Sequence, residues 1–384
     1  MRRRLTIFLI VVVVLGYLAI PYARALSLIV RAANMGGTLQ AVANNRAHAV
    51  TIEQQTTIPT RHGNVPARFY RPDGGFDRTV LLVPGIHAMG IDEPRLTALA
   101  KDMAGSGIGV MTMALPDLMR YEITPRSTDV IEDAVKSLAE RRELAPDGRV
   151  GMIGISFAGG MSIVAAGRSS IRDRAAFVLS FGGHGDLPRV IRYLCTGEAP
   201  HVEGIEIHPP HDYGVAVVLY GMTPRVVPPE QVEPLREGIR TFLWGSQLTL
   251  VDQKKADAMF AKAREMATAL PEPSATYLKH VNDRNVKALG PVLVPHIAET
   301  AAHEAISPQR TDSTPAAPVY LLHGAGDTVI PTVESHLLAQ HLRSRNADVR
   351  LLLSRLITHA ETDKSAAASE TLKLVSFWAS VLQQ

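Results

Sequence analysis

The chain has 384 residues, of which 46% are hydrophobic and 20% are charged, and this composition excludes a disordered protein. Its net charge of +3 comes from Arg2, Arg3 and Arg4, because without them the 40 basic residues become 37, equal to the 37 acidic residues. The body therefore has no basic surplus of the kind that binds nucleic acid. The single cysteine, Cys195, excludes an intramolecular disulfide and is expected to be a small buried apolar residue.

The N-terminus carries an uncharged apolar run, residues 5–23, directly after the arginine cluster. A helix of that length spans about 28 Å, close to the hydrocarbon thickness of a bilayer. The arginines should stay in the cytoplasm, which places the body of the chain outside it. Residues 1–24 are therefore predicted to be a retained transmembrane anchor. The alternative is a signal segment cleaved near Ala25, and in both cases residues 25–48 form a helical or irregular connector.

From residue 49 onward, short apolar strands alternate with amphipathic helices. Continuous apolar runs such as 79–85 are expected of strands covered on both faces. This alternation predicts an α/β fold with a mostly parallel, doubly wound sheet. The predicted strands are 49–59 and 66–72 (an opening antiparallel pair), 79–85, 107–116, 149–156, 175–183, 317–327 and 348–356, and the predicted helices are 128–143, 157–168, 333–345 and a closing helix that ends at 382.

Residues 187–316 interrupt this alternation, because they contain no clear buried strand. They carry helical stretches separated by proline-bearing segments, and a loop of that length would be abnormal in a compact domain. The segment is therefore predicted to be a helical insertion with structure of its own. The core would then consist of residues 49–186 and 317–384.

Ser156 lies in the segment GISFAGG (154–160), where a predicted strand gives way to a predicted helix. Small residues two positions before and two positions after a serine allow the sharp turn that exposes a nucleophile. Here they are Gly154 and Ala158, the second in place of the usual glycine. A serine hydroxyl also needs a base, an orienting acid and an oxyanion site. The turn alone leaves two interpretations open: a nucleophile, or a small polar residue at a structural corner.

Two later segments supply an acid and a base. Asp327 follows an apolar strand and a glycine-rich turn, and His359 follows the last predicted strand. The order Ser156, Asp327, His359 is that of an elbow-type triad, in which the histidine is the base and the aspartate orients it. Asp186, which follows the preceding strand, is the alternative acid. Asp327 is favoured because its glycine-rich turn and the VIP that follows it fit this motif better.

An oxyanion site requires two converging backbone N–H groups. One is predicted at Phe157, where the helix begins and its N–H groups lack intrahelical partners. The other is predicted at Ile86, in the turn after the strand 79–85, where Gly85 allows close approach of the backbone. His87 and Asp117 are candidate substrate-lining residues, and each also has a structural interpretation.

With these motifs in place, the chain from about residue 50 to the C-terminus resembles the α/β-hydrolase superfamily. The elbow GISFAGG, the acid turn HGAGDTVIP and the histidine loop ITHAE match it in order and spacing. The branch it looks most like is that of dienelactone hydrolases and prolyl-oligopeptidase-like serine esterases. The resemblance implies an eight-stranded sheet, catalytic residues at the carboxyl ends of strands, and a cap after the sixth strand, where 187–316 falls. One departure is the oxyanion segment, which is PGIH rather than the HGGG of many lipases and esterases.

These residues predict a membrane-tethered or exported serine hydrolase that forms an acyl-enzyme on Ser156. Carboxylic esters are the favoured substrates, and peptidase or amidase activity of the same fold is the alternative. A catalytically silent binding protein with a hydrolase fold is a hypothesis of a different class. The chemistry needs neither a metal nor an organic cofactor. The expected partners are a small acyl substrate and the membrane, and no nucleic acid.

The predicted cap carries two further features. His208, His211 and Asp212 lie within five residues, but a fourth ligand at a recognised spacing is missing. A solvated loop is therefore favoured over a metal site. The apolar segments 213–222 and 292–300 predict an apolar lining of the substrate pocket, so lipid-like or short-chain esters are expected.

Overall fold

The computed structural model of the chain describes residues 2–201, 204–249, 251–301, 303–357 and 368–384. Within these ranges the strands are β1 (Val50–Thr60), β2 (Gly63–Pro72), β3 (Thr79–Val83), β4 (Gly109–Met113), β5 (Val150–Ile155), β6 (Ala175–Phe181), β7 (Glu198–His201), β8 (Gly204–Ile207), β9 (Val319–Gly324) and β10 (Val349–Ser354). The α-helices are α1 (Arg2–Ala32), α2 (Gly37–Asn45), α3 (Pro94–Ala104), α4 (Pro116–Met119), α5 (Pro125–Ala139), α6 (Phe157–Gly167), α7 (Leu187–Thr196), α8 (Asp212–Val226), α9 (Pro229–Leu248), α10 (Gln253–Ala269), α11 (Ser274–Asn282), α12 (Val286–Leu293), α13 (Ile297–Ala301), α14 (Val333–Ser344) and α15 (Ala368–Leu382).

Eight of these strands form one mixed sheet in the order β1-β2-β4-β3-β5-β6-β9-β10. The pairs β1–β2 and β2–β4 are antiparallel, and the other neighbouring strands are parallel. The strands β3 and β4 are buried along their whole length, because helices cover both faces of the sheet. The predicted opening antiparallel pair and the mostly parallel, doubly wound sheet are confirmed.

Each face of the sheet builds its own hydrophobic core, because alternate residues of a strand point to opposite faces. Leu81 and Val83 of β3 pack into a core with α5, α6, α14 and helices of the segment 187–316. Val80 and Leu82 pack into a second core with α1, α3 and α15. The molecule therefore has three layers, and the carboxyl ends of its parallel strands meet at one edge of the sheet, where ligands bind in folds of this kind.

The helix α1 is engaged with the body at its C-terminal end. Ala25 and Leu28 are buried in the second core, and Arg31 pairs with Asp102 of α3 at 3.1 Å. The sequence predicts a transmembrane helix within 1–24. Among the residues that the structure describes, no helix is long and apolar enough to cross a membrane, so the predicted spanning helix is not found. Hydropathy does not distinguish apolar residues that face lipid from those that face a protein core, and the residues at the end of α1 face a protein core.

The segment 187–316 is largely helical, from α7 to α13, and it also contains the antiparallel hairpin β7–β8. This hairpin stands apart from the eight-stranded sheet. No buried apolar run marks this hairpin in the sequence, because its strands are four residues long and Ile207 is 76% exposed. Helix α3 is also absent from the predicted elements, although Pro94 and Glu93 mark its start; Glu93 is the N-cap and accepts a hydrogen bond from Leu96 N–H.

Candidate active site

Ser156 lies at the junction of β5 and α6, with φ 55° and ψ −132°. This backbone conformation is rare for a residue with a side chain and costs about 1–3 kcal/mol. Two hydrogen bonds of 2.8 Å fix it: the Ser156 N–H donates to the Phe181 carbonyl of β6, and the Ser156 carbonyl accepts from Gly159 N–H. The junction is thus the sharp strand-to-helix turn of a nucleophile elbow.

Glycines leave the room that this turn requires. A Cβ atom at Gly154 would lie 2.4 Å from the Ala158 carbonyl oxygen, so no side chain fits there without a backbone shift. A Cβ atom at Gly85 would lie 3.2 Å from the Ser156 Cβ and 3.3 Å from the Ile155 carbonyl oxygen. Gly85 therefore lets the turn after β3 pass close to the serine. Ala158 is fully buried, and its single methyl group is accommodated where the elbow pattern has glycine.

Ser156 lines a cavity of about 1040 Å³ at the carboxyl edge of the sheet. Phe157, Ile86 and His87 line the same cavity, so the structure brings both predicted oxyanion residues to the predicted nucleophile. Phe157 is the first residue of α6, where the helix dipole and the N–H groups without intrahelical acceptors favour negative charge. The segment 187–316 contributes another part of the wall, with His211, Tyr213, Val217, Leu243, Ser246, Gln247 and Thr249.

Asp327 follows β9 at the same edge of the sheet. Its Oδ1 accepts hydrogen bonds from the N–H groups of Val329 and Ile330, at 2.8 and 2.9 Å. The side chain is almost completely buried, and its Oδ2 lies 3.3 Å from Nε2 of His323. The backbone of its own loop therefore fixes this carboxylate, and the residues on either side of Asp327 line the cavity.

His323 is a residue that sequence analysis does not single out. It lies within β9, is fully buried, and donates from Nε2 to the Ile330 carbonyl at 2.9 Å. Its Nδ1 lies 2.6 Å from the Ser335 hydroxyl of α14. With Nε2 also facing Asp327, the ring joins the strand, the acid loop and a helix, which makes it a positioning residue for that carboxylate. The signal in the sequence is a histidine inside an otherwise apolar strand, because a buried imidazole needs polar partners.

Asp186, the alternative acid, is the N-cap of α7. Its Oδ1 accepts from Arg189 N–H at 3.0 Å, and its Oδ2 accepts from Nε of Arg310 at 2.7 Å. The N–H of Asp186 itself donates to the buried carboxylate of Glu334 at 3.0 Å. Both carboxylate oxygens of Asp186 thus have structural partners, one at the start of a helix and one in an ion pair.

His359, the predicted base, lies outside the described residues. The last strand before His359 is at the same edge of the sheet: β10 runs parallel to β9, with Ser354 opposite Gly324. Ile357, two residues before His359, lines the same cavity as the serine.

The two candidate substrate-lining residues have different surroundings. His87 lines the cavity, its Nδ1 accepts from Met89 N–H at 3.2 Å, and burial lowers the pKa of its imidazole. Asp117 is buried at the start of α4, where it pairs with Arg120 at 2.6 Å and accepts from the Thr124 hydroxyl. It is not among the cavity-lining residues of the described chain. The structure thus brings His87 to the site, whereas Asp117 lies in α4 with structural partners.

The cap segments line the cavity only in part as the sequence predicts. The segment 213–222 contributes Tyr213 and one valine, whereas 292–300 contributes no residue to the lining that the structure describes. Helix α9 lines the cavity instead, although nothing in its sequence connects it with the site. Gln247 of α9 also accepts a hydrogen bond from Ala88 N–H at 3.3 Å, beside the oxyanion turn. The cap therefore contacts the part of the core that is predicted to bind an oxyanion.

The HPPHD segment forms a loop with its own ionic contacts. Nδ1 of His211 lies 3.2 Å from the Asp212 carboxylate, and its ring packs against that of Tyr213 with centroids 4.3 Å apart. Asp212 also pairs with Arg284 at 2.7 Å. Within the ranges that the structure describes, no group of three or more His, Cys, Asp or Glu side chains could hold a metal ion.

The strand order, the strained serine turn after β5 and the helical insertion after β6 together define an α/β-hydrolase fold. The resemblance drawn from the sequence motifs is therefore confirmed for the fold. No protein-family model matches the sequence, and no curated protein matches it.

Solved structures with a similar fold include hydrolases of two kinds. One is an esterase from Pyrobaculum calidifontis, with 15% identity, a TM-score of 0.48, and 90% of this chain and 88% of the esterase covered. Another is Pyrococcus horikoshii acylaminoacyl peptidase, with 12% identity, a TM-score of 0.44, and 90% and 43% covered. A third is a Mycobacterium tuberculosis puromycin-hydrolyzing peptidase, with 15% identity, a TM-score of 0.47, and 87% and 39% covered. The chain spans less than half of either peptidase, and at these identities the likeness concerns the fold alone.

Proposed function

We propose that the chain is a serine hydrolase that cleaves a carboxylic ester through an acyl-enzyme on Ser156. The observation that carries the proposal is the convergence on one cavity of the strained Ser156 turn, the Phe157 helix start and the Ile86 turn. The buried carboxylate of Asp327, held by its own loop on a neighbouring strand, supports it.

The proposed mechanism uses only side chains and backbone groups of this chain. His359 takes the proton of the Ser156 hydroxyl as its oxygen attacks the acyl carbonyl, and Asp327 orients the imidazole and stabilises its charge. The N–H groups of Phe157 and Ile86 stabilise the oxyanion that forms. His359 then gives the proton to the leaving alcohol. In the second half of the reaction His359 takes a proton from water as the water attacks the acyl-enzyme, and it returns that proton to the Ser156 oxygen as the carboxylic acid leaves.

A fluorophosphonate probe tests the proposal directly, because it phosphonylates only an activated serine. We expect labelling of the full-length protein and its loss in Ser156→Ala. Ser162→Ala is the matched control: it removes a buried hydroxyl of the same helix that has no hydrogen-bond partner among the described residues. Equal labelling of Ser156→Ala, or no labelling of the wild type, would contradict the proposal. The second result would favour a catalytically silent binding protein.

A serine peptidase or amidase of the same fold would use the same residues, so substrate comparison must decide between them. Rates on p-nitrophenyl esters of graded acyl length are to be compared with rates on acyl p-nitroanilides that share those acyl groups. We expect ester hydrolysis to dominate. Activity on the anilides alone would contradict the esterase proposal and support the amidase alternative.

We also propose that the chain is tethered to a membrane or exported, with its body outside the cytoplasm. The support is the sequence of residues 5–23, an uncharged apolar run behind three arginines. Fractionation of expressing cells and the mass of the mature protein test this. Full-length protein in the membrane fraction indicates an anchor, mature protein lacking about 25 residues indicates a cleaved signal, and full-length protein in the cytosol refutes both.

A further inference from the structure

The first two helices present an exposed apolar face. Their residues at three- and four-residue spacing lie on one side of each helix. Six of them are between 38% and 58% exposed: Leu18, Tyr22 and Leu26 on α1, Leu39 and Val42 on α2, and Met35 just before it. We call these six residues the α1–α2 face. Exposed apolar patches of this kind mark contacts with proteins or membranes.

The cavity that contains the serine reaches the surface beside this face. Ala32, at the end of α1, and Asn34, in the turn before α2, are exposed and line the cavity. The same cavity is lined by apolar side chains of α3 and α15, among them Leu99 and Trp378, and by Ile155, the residue before the serine. An apolar substrate that enters beside the turn between α1 and α2 therefore meets an apolar wall.

We propose that the α1–α2 face rests on a lipid bilayer and that the enzyme draws its acyl ester from that bilayer through this opening. The statement about the substrate rests on the proposed function, whereas the contact with lipid does not. The substrate class is an ester with an acyl chain long enough to partition into a membrane.

A bilayer is favoured over a second copy of the chain because an apolar run, two exposed tyrosines and an arginine adjoin this face. The α1 part of the α1–α2 face lies in the same helix as the uncharged run 5–23, which is long enough to enter a bilayer. Tyr17 and Tyr22, 74% and 49% exposed, stand near the end of that run, where aromatic residues prefer the membrane–water interface. Arg24 follows them, and basic residues at an interface attract anionic lipids.

The single native cysteine makes a direct test practicable. Cys195 is buried and burial raises the pKa of its thiol to about 12, so an introduced surface cysteine is the reactive one. Leu39→Cys carries an environment-sensitive NBD fluorophore on the α1–α2 face, and Asn44→Cys carries it on the opposite, exposed side of α2. With vesicles of phosphatidylcholine and phosphatidylglycerol, we expect emission at position 39 to rise on the order of two-fold with a blue shift, and no change at position 44.

Equal responses at the two positions, or no response at position 39, would overturn the proposal. A response at position 39 that appears without vesicles and grows with protein concentration would also overturn it, in favour of self-association.

The substrate part is tested on the double variant Leu39→Glu/Val42→Glu, with Ala41→Glu/Asn44→Glu as the control that adds the same charge at exposed positions on another side of α2. We expect the first variant to hydrolyse a long-chain ester dissolved in vesicles on the order of ten-fold more slowly, since two apolar contacts with lipid are lost. Its rate on soluble p-nitrophenyl acetate should be unchanged. Unchanged rates on both esters would overturn the route through the bilayer. Failure of the wild type on every ester would instead refute the proposed function and leave the fluorescence test intact.

Discussion

The chain has similar sequences at the carboxyl ends of β6 and β9, HGD at 184–186 and HGAGD at 323–327, but their aspartates have different partners. Asp186 immediately precedes α7, where it is the N-cap of the helix and pairs with Arg310. Asp327 lies in a loop whose own backbone N–H groups hold the carboxylate. The histidines differ as well: His184 follows β6 and donates to the Ile306 carbonyl at 2.6 Å, whereas His323 lies within β9, donates to the Ile330 carbonyl and also faces the acid.

The length of the turn accounts for this difference. Ala325 and Gly326 add two residues between histidine and aspartate, which lets the chain fold back until Val329 and Ile330 reach the carboxylate. The shorter turn has no such loop, and its aspartate is at the N-cap, where a carboxylate satisfies an N–H group of the first helical turn. Residue types alone therefore do not decide which aspartate orients a base, and four predictions test the distinction.

The largest effect is expected when the two acids are replaced separately by asparagine. Asp327→Asn should lower kcat for p-nitrophenyl esters by about 10⁴-fold, because a neutral amide neither orients the histidine correctly nor stabilises its charge. Asp186→Asn keeps an N-cap acceptor and should leave kcat within about two-fold. Circular dichroism confirms that both variants fold. A large loss in Asp186→Asn beside an active Asp327→Asn would reverse the assignment.

A smaller effect on catalysis is expected from the histidine that faces the acid. His323→Leu removes the Nε2–H donor and should lower kcat on the order of 10–100-fold with little change in KM, because Asp327 loses its fixed position. His323→Gln can place an amide N–H near the same point and should recover part of the loss. His184→Leu serves as the matched control after β6 and should leave kcat unchanged. Equal losses in all three variants would indicate general loosening of the core.

The acid after β6 should instead affect stability. Asp186→Ala removes the N-cap of α7 and is expected to lower the free energy of unfolding by about 1–2 kcal/mol. Arg310→Ala should lower it by no more than about 1 kcal/mol, because Arg310 is 39% exposed and its ion pair is screened by solvent. Urea titrations of these variants give the values. An Asp186→Ala variant as stable as the wild type would refute the structural role.

The smallest expected effect is a pH dependence of stability from His184. Burial lowers the pKa of this imidazole, so the unfolded chain takes up the proton first, near pH 6.5. Below that pH the unfolded state binds more protons, and stability falls by at most about 1.4 kcal/mol per pH unit. His184→Gln should reduce this fall between pH 7 and pH 5. An unchanged pH dependence in the variant would show that other groups cause it.

The sequence alone predicts the sheet well, because strands such as β3 and β5 are apolar runs that end in turn residues. It fails where the same apolar residues have two environments. Ala25 and Leu28 follow the apolar run 5–23 in the same helix and pack on the body, and 292–300 contributes no residue to the described cavity lining. Which face of a helix meets a site is a property of tertiary packing that hydropathy does not contain.

The candidate site is predictable to the extent that its residues follow strands. Ser156 and the oxyanion residues lie in one cavity, as expected from the convergence of parallel strands at their carboxyl ends. The choice between Asp186 and Asp327 depends instead on hydrogen bonds made several residues away. His323 escapes notice because its partners, the Ile330 carbonyl and the Ser335 hydroxyl, lie 7 and 12 residues further along the chain, and no strand or helix periodicity predicts these contacts.

The backbone strain at Ser156 has a consequence for how this protein responds to selection. With φ 55° and ψ −132°, the position suits glycine better than any residue with a side chain. A library of variants screened for thermal survival alone would therefore be enriched in glycine at 156, and each such variant would lack the hydroxyl. Screening for heat resistance in this protein has to include an activity step, since stability and activity favour different residues at this position.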